Sequence, residues 1–398
     1  MFAEADRIAT RISRVELERR WSAVRAAMAE RGIDALVMQS TNDWLGGTVR
    51  WFTDRPATNG YPVTVVFPLA APMLVVEMGP FDGRTQFDGF DPGRPGVAEV
   101  RTAPSFTSIE YTSSYDSKIV AETLRRHRFK TIGLIGRNYL PHRLVREVEG
   151  AVASPRHVVD ATAFVDELKA IKSAEEVALI RQTAALQDTV FAEIARTIRP
   201  GMRDSEVATA AWRHCQSLGS EQGIILGASA PLGERSPFLG RHFQGRTLAP
   251  GDHLSILIEV NGPGGFYTEL GRTIVLGRAS GELLDGFAAV QEAQYATLRH
   301  MRPGVACGAI AAAHDSFMQS LGLPVERRLY AHGQGYDMVE RPLIREDETM
   351  RLRAGLCLAV HPGYETSSQF SVICDNYMIG PNGPGECLHR TEKKVFEV

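Results

Sequence analysis

The stretch Leu254–Thr273 contains charged residues in a pattern that can bring them into one cleft. An apolar run typical of a buried strand precedes a turn at Asn261–Gly265, which is rich in residues that tolerate unusual backbone angles. A second strand follows and carries Glu269 and Arg272. Because a carboxylate in a buried strand needs a partner, Glu269 predicts a nearby metal ion, an arginine or a cationic ligand.

Three further residues have side chains that bind metals or transfer protons. His332 lies in a glycine-rich loop after a strand-like segment, and His361 lies at the end of an apolar strand, before Pro362-Gly363. A histidine can act as an acid or a base near neutral pH, and a packed, hydrogen-bonded histidine is the alternative interpretation of each. Cys374 alone is more typical of a small buried core residue.

The composition is that of an ordinary globular protein. The chain has 398 residues, which is long for one domain and comfortable for two. A formal net charge of −3 does not favour a nucleic-acid partner, and no apolar run approaches membrane-spanning length. The first residues include acids and no apolar core, so we expect no secretory signal. Five scattered cysteines without a CxxC pair suit a reducing compartment, which predicts a cytoplasmic location.

Strands and helices alternate in the first part of the chain. We predict a helix over 14–31 and a strand at Asp34–Met38, followed by a hairpin of Tyr61–Phe67 and Pro72–Glu77. A further helix and two short strands come next. This alternation predicts an α/β N-terminal domain over residues 1–162.

The second part of the chain contains an internal repeat. Arg199-Pro200-Gly201 opens a segment that ends at Gly219, and Arg302-Pro303-Gly304 opens one that ends, after the same number of residues, at Gly322. A long helix is predicted before each copy, and strands after it. Two copies of such a unit imply pseudo-twofold symmetry, so we predict one domain over 163–398 with a site between the copies.

Short motifs follow one another in this second part. They are Pro250-Gly251-Asp252, Gly265–Thr273 (GFYTELGRT), His332–Gly335 (HGQG) and Leu352–Gly363 (LRAGLCLAVHPG). In this order they resemble the motifs of the creatinase, prolidase and methionine aminopeptidase family. The resemblance implies an α+β chain, with a pita-bread C-terminal domain built on a pseudo-twofold repeat and an α/β creatinase-like N-terminal domain. It also implies a homodimer that acts on a small molecule.

The residues at the family's metal-ligand positions differ from the usual set. Metal-dependent members hold two divalent ions with two Asp, one His and two Glu. Placed motif by motif, the first Asp falls on Ile258 and the second on Glu269, while His332 keeps the family's His. The two Glu positions hold His361 and Cys374. The usual dinuclear site is therefore not expected, and the chain is predicted to be a divergent, creatinase-like member.

Two interpretations of the site stay open. In the first, Glu269, His332, His361 and Cys374 hold one divalent ion, and their nitrogen, sulfur and oxygen donors suit Zn²⁺ or Fe²⁺. In the second, no metal is bound and, as in creatinase, a histidine transfers the proton while carboxylates bind the substrate. His242 resembles that histidine by its place in the chain.

Four more residues are predicted to bind the substrate. Glu259 and Asp375 can bind a cationic group by charge-assisted hydrogen bonds. Arg241 belongs to a basic cluster that can bind a carboxylate, and Arg272 is a further charged candidate.

The resemblance and these residues together predict an enzyme. We expect a hydrolase that cleaves a C–N bond in a small amide, amidine or dipeptide-like substrate, with His332, His361, Glu269 and His242 as its catalytic residues. The alternatives are a single-metal Xaa-Pro-type peptidase, a lyase acting on a small zwitterion, and a non-catalytic binding protein on the same fold.

Overall fold

The computed structural model describes residues 10–42 and 46–398, so parts of the predicted N-terminal domain (1–9 and 43–45) lie outside the described residues. The chain forms two compact units, Arg11–Lys169 and Ala170–Val398. The predicted domain boundary after residue 162 falls at the start of a helix, whereas the compact units divide at the end of that helix. Within the described ranges, no helix is long and apolar enough to cross a membrane.

The N-terminal unit is built on one mixed sheet. Its strands are β1 (Ala35–Ser40), β2 (Val63–Pro68), β3 (Met73–Met78), β4 (Gly83–Gln86), β5 (Val97–Ala103), β6 (Ile132–Leu134) and β7 (Val158–Asp160). In the described part of this unit, the seven strands lie in the order β4-β5-β3-β2-β1-β6-β7. Its helices are α1 (Arg14–Glu30), α2 (Gly47–Thr53), α3 (Ser113–His127), α4 (His142–Glu149) and α5 (Thr162–Ala170). The predicted helix over 14–31 and the predicted antiparallel hairpin, now β2 and β3, are both confirmed.

The C-terminal unit consists of two similar halves. The first half contains α6 (Ala174–Thr197), α7 (Asp204–Ser217), β8 (Gly223–Pro231), β9 (Asp252–Asn261) and β10 (Tyr267–Val275). The second half begins with the helices α8 (Gly281–Leu298) and α9 (Cys307–Ser320). Its strands are β11 (Ala331–Gly333), β12 (Glu340–Leu343), β13 (Cys357–Val360), β14 (Gly363–Glu365), β15 (Phe370–Val372), β16 (Asp375–Gly380), β17 (Gly383–Cys387) and β18 (Phe396–Glu397). The strands form three sheets, β18-β10-β9-β8, β12-β11-β13-β16-β17 and β14-β15.

Equivalent backbone contacts in the two halves confirm the predicted repeat. The helices α7 and α9 each have 14 residues. In the first half, the N–H of Gly201 donates to the carbonyl of Leu248 at 2.8 Å; in the second, Gly304 donates to Leu352 at 2.8 Å. The two Arg-Pro-Gly motifs are therefore bound in the same way to the segments that precede β9 and β13.

The packing of α6 determines which face of the first sheet is free to form a site. The helix begins at the predicted capping box, in which Ser173 accepts from the backbone of Glu176 at 3.2 Å and Glu176 accepts from the backbone of Ser173 at 2.7 Å. Its apolar residues share a core with Ile258 and Leu270. Because successive side chains of a strand point to opposite faces, the neighbours of these two residues point away from the helix.

Candidate metal and catalytic site

Two acidic residues lie side by side on the face of β9 and β10 that is turned away from α6. In the antiparallel register, Glu259 is paired directly with Glu269, and Ile258 is paired with Leu270 in the core. The acid that β9 contributes to the site is therefore Glu259. Motif placement, which assigned this position to Ile258, is corrected by one residue. Cross-strand pairing, and not the residue count through the turn, decides which side chains share a face.

Strands of the second half bring three more side chains to this face. His332 is the middle residue of β11, and His361 directly follows β13, the strand paired with β11. Cys374 precedes β16 and forms a backbone bridge to Gly271 of β10. A Cβ at Gly271 would lie 2.8 Å from the Cys374 sulfur, so only glycine permits this approach. The two halves of the unit thus contribute to one cluster.

The cluster has the geometry of a small ligand set. Ligand atoms of Glu269, His361 and Cys374 all lie within 4.8 Å of one another. Nε2 of His361 is 3.5 Å from Oε1 of Glu269, and Nε2 of His332 is 3.9 Å from Oε2 of Glu269. The structure therefore brings together the four residues that the sequence predicted as ligands of a single ion.

Burial governs the charges of these groups. It raises the pKa of Glu269 well above its usual value, and the neighbouring charge of Glu259 raises it further. Burial lowers the pKa of His332 to about 4, and burial together with the charges of His332 and Arg328 lowers that of His361. Both histidines are therefore neutral at physiological pH, which is the state in which imidazole binds a metal.

Two observations fit a divalent cation at this place. Nδ1 of His332 lies 2.9 Å from the carbonyl of Gly333, which can only accept, so Nδ1 carries the hydrogen and Nε2 presents its lone pair. Oε1 of Glu269 is buried and has no hydrogen-bond donor among the described residues. A cation would satisfy both groups, and a donor set of two imidazoles, a carboxylate and a thiolate suits Zn²⁺ or Fe²⁺.

The structure gives Arg272 and Asp375 another role than the predicted substrate binding. Nη2 of Arg272 donates to Oδ1 of Asp375 at 2.7 Å, and both side chains have 0% exposure. Nε2 of Gln294 also donates to Asp375, at 3.2 Å. The prediction is corrected because an ion pair that is closed to solvent and already satisfied offers no free group to a substrate.

The other predicted binding residues are distributed unevenly. Glu259 lies in the cluster beside Glu269 and is buried. His242 and Arg241, in contrast, are exposed in the 3-10 turn Arg241–Phe243, where Arg241 donates to Thr209 at 3.1 Å. The structure does not bring these two into the cluster, and their roles stay predictions.

Two kinds of polar residue at the site were missed from sequence. The amides of Gln334 and Asn376 connect Glu259 to the backbone of Glu269. The signal for Gln334 was a polar side chain inside the HGQG motif. Arg328 was missed because it has no motif; its Nη2 lies 3.5 Å from the carbonyl of His361, and its charge acts on Glu269 and on the cysteine of the cluster.

A repeated α+β unit whose two halves contribute to one site has the architecture of a pita-bread domain. The sequence model of metallopeptidase family M24 matches residues 178–381, which is more than half of the chain. The chain belongs to this family, whose members are hydrolases that act on C–N bonds and typically depend on divalent metal ions. The predicted family and fold are confirmed.

Individual relatives agree with this assignment. The chain is 25% identical to the "uncharacterized peptidase YqhT" of Bacillus subtilis over 62% of its own length and 70% of the relative's. It is 26% identical to the "probable dipeptidase PepE" of Mycobacterium tuberculosis over 51% of its own length, a match that spans only 54% of that relative. The structure of an X-Pro aminopeptidase from Thermotoga maritima is similar with a TM-score of 0.77 at 18% identity, covering 95% of this chain and 99% of that one.

Proposed function

We propose that this chain is a hydrolase that uses a single divalent metal ion to cleave the amide bond of a dipeptide-like substrate. The observation that supports it most strongly is the buried group of Glu269, His361 and Cys374, with ligand atoms within 4.8 Å of one another. A metal-free site, the alternative from sequence, leaves Oε1 of Glu269 buried with no hydrogen bond among the described residues, since Nε2 of His361 stays at 3.5 Å, and this costs free energy.

The ion would be held by Glu269, His332, His361 and Cys374. When bound, a divalent ion polarises a carbonyl group and lowers the pKa of a water molecule. Glu259 is the nearest acid that is not needed as a ligand, and it has the position of a general base. Its carboxylate takes a proton from the water that adds to the amide carbon and gives it to the leaving nitrogen as the C–N bond breaks. The products are a carboxylic acid and an amine.

Arg328 favours a substrate with a free carboxylate over a cationic amidine. Its guanidinium is bound on one side to Glu326, by two hydrogen bonds of 3.0 Å, and the side chain is 41% exposed. Its positive charge acts on Glu269 and Cys374, and the exposed side of the guanidinium that Glu326 leaves open can donate hydrogen bonds to a carboxylate but not to a cationic group. A dipeptide offers both the amide bond and the carboxylate that such a site would accept. The names of the dipeptidase and X-Pro aminopeptidase relatives support the same class.

The test is hydrolysis of a panel of dipeptides, with and without proline in the second position, before and after removal of metal by a chelator. Chelation should abolish release of the free amino acids, and adding back Zn²⁺ or Fe²⁺ should restore it. His361→Ala should lose metal, and its kcat/KM should fall by at least about 100-fold. Mutating a residue that only supports a ligand costs up to about 100-fold, so removing a ligand should cost at least as much. His242→Ala changes the histidine that the metal-free alternative needs, and because His242 lies outside the cluster this variant should keep its activity. No hydrolysis of any dipeptide in the panel, or an unchanged rate after chelation, would refute the proposal.

A further inference from the structure

Glu259, the carboxyl group beside Glu269, is held by an amide from within the protein. Nε2 of Gln334 donates to Oε1 of Glu259 at 3.0 Å, and Oε1 of Gln334 accepts from Nδ2 of Asn376 at 2.7 Å. Gln334 is 1% exposed and Asn376 is 0% exposed. Water therefore has no access to compete for these hydrogen bonds.

A backbone group determines the direction of the whole chain of hydrogen bonds. The N–H of Glu269 can only donate, and it donates to Oδ1 of Asn376 at 2.7 Å. Asn376 must therefore present its amino group to Gln334, and Gln334 must present its own amino group to Glu259. Flipping either amide would bring two acceptors or two donors together in a buried place, which is costly. The network thus points an N–H at the carboxylate of Glu259.

This N–H presents a partial positive charge to the carboxylate of Glu259, as a bound cation would. Two adjacent acids such as Glu259 and Glu269 are a natural bridge between two divalent ions. The donor from Gln334 occupies one lone pair of Oε1 of Glu259, and its partial positive charge repels a second ion that approaches this oxygen. We propose that the amide pair of Gln334 and Asn376 takes the place of a second metal ion and confines this site to one. The inference rests on the proposed single-metal function and goes beyond it by naming the groups that keep a second ion out.

The test counts the ions bound to this chain. Chelator-stripped protein is refilled with Zn²⁺, and the bound metal is measured by elemental analysis and by calorimetric titration. The unmodified chain should bind one ion. Gln334→Met keeps the size of the side chain and removes the donor, so it should bind a second, weaker ion. Adding Glu259→Gln to that variant should return the count to one.

A matched control and a second variant keep the test decisive. Gln369→Met removes another buried amide, one that donates to the carbonyl of Glu282 and to Ser371, and it should leave the count at one. Gln334→Glu places an oxygen where the nitrogen was, and it should also bind two ions. It serves as the test variant if Gln334→Met does not fold.

The possible outcomes separate this inference from the proposed function. Two ions in the unmodified chain would overturn the inference and the single-ion form of the proposed function, but would leave metal-dependent hydrolysis itself intact. A chain that binds no ion would overturn both. A count that stays at one in folded Gln334→Met or Gln334→Glu would show that the amide does not control metal binding.

Discussion

Replacing Arg272 by Met should break a fully buried ion pair without changing any of the four proposed ligand residues. Arg272 donates to Asp375 at 2.7 Å, and neither side chain is exposed. The other donors of the guanidinium bind the backbone carbonyls of Gly271, Cys374, Thr391 and Glu392. The substitution therefore leaves a buried carboxylate and several carbonyls without their donor.

The expected loss of stability follows from this geometry. Removing one partner of a buried pair costs about 3–5 kcal/mol, because the other charge stays buried. Asp375 keeps Nε2 of Gln294 at 3.2 Å and Nζ of Lys393 at 3.6 Å, so we expect the lower part of that range, about 3–4 kcal/mol. For a unit of this size, that loss lowers the Tm by roughly 6–16 °C.

Scanning calorimetry of the C-terminal unit's transition measures the effect. The double variant Arg272→Met with Asp375→Asn should recover part of the loss, since it leaves no charge uncompensated. At a temperature where the variants are folded, the KM of each should be close to that of the unmodified enzyme. An unchanged Tm together with a strongly raised KM would refute this reasoning and restore the substrate-binding role predicted from sequence.

Three further predictions concern acid stability, metal preference and helix capping. Burial disfavours the charged form of Glu348, but hydrogen bonds from Arg341 and from two backbone N–H groups outweigh it and lower the pKa to about 2. The stabilisation by Glu348 is therefore present above the ordinary pKa of 4.5 and disappears as the pH falls towards 2. Glu348→Gln should lower the urea midpoint at pH 7 and leave it unchanged near pH 2. An equal loss of stability at both pH values would contradict this. Cys374→Ser should weaken Zn²⁺ binding more than Mn²⁺ binding in a chelator competition, because thiolate prefers the softer ion, and an equal loss for both would exclude sulfur as a ligand. Ser173→Ala removes the cap of α6 and should cost about 1 kcal/mol in urea unfolding without a change in kcat/KM; a change in kcat/KM would connect the helix end to the site.

The elements could be predicted where local residue patterns determine them. Ser173 and Glu176 have the spacing of a capping box, and both hydrogen bonds of that box are present. The two Arg-Pro-Gly motifs predicted a repeat, and the contacts of Gly201 and Gly304 are equivalent in the two halves. Such signals act over a few residues, so they can be recognised without knowing the tertiary structure.

The site was predictable only in part, because its geometry depends on pairing between distant strands. Residue type and motif order identified Glu269, His332, His361 and Cys374 as candidates, and the structure places them in one cluster. The register of β9 against β10 decides that Glu259 faces the cluster, and no local pattern specifies that register.

The hydrogen-bond and ion-pair partners of the remaining polar residues could not be predicted from local patterns either. Arg272 and Asp375 are 103 residues apart in sequence, and their mutual ion pair was not predicted. The amide of Gln334 reaches Glu259 across 75 residues. A charged or polar residue in a motif therefore indicated a site correctly, but its role depended on which distant side chain satisfies it.

X-ray absorption spectroscopy of the zinc-loaded protein tests most directly whether this cluster is a single-metal site. With one equivalent of Zn²⁺ bound, the spectrum should show one sulfur ligand at about 2.3 Å beside nitrogen and oxygen ligands, and no second metal nearby. Cys374→Ser should remove the sulfur contribution alone. A shell of nitrogen and oxygen only, a metal–metal distance, or a protein that does not retain zinc would contradict the account.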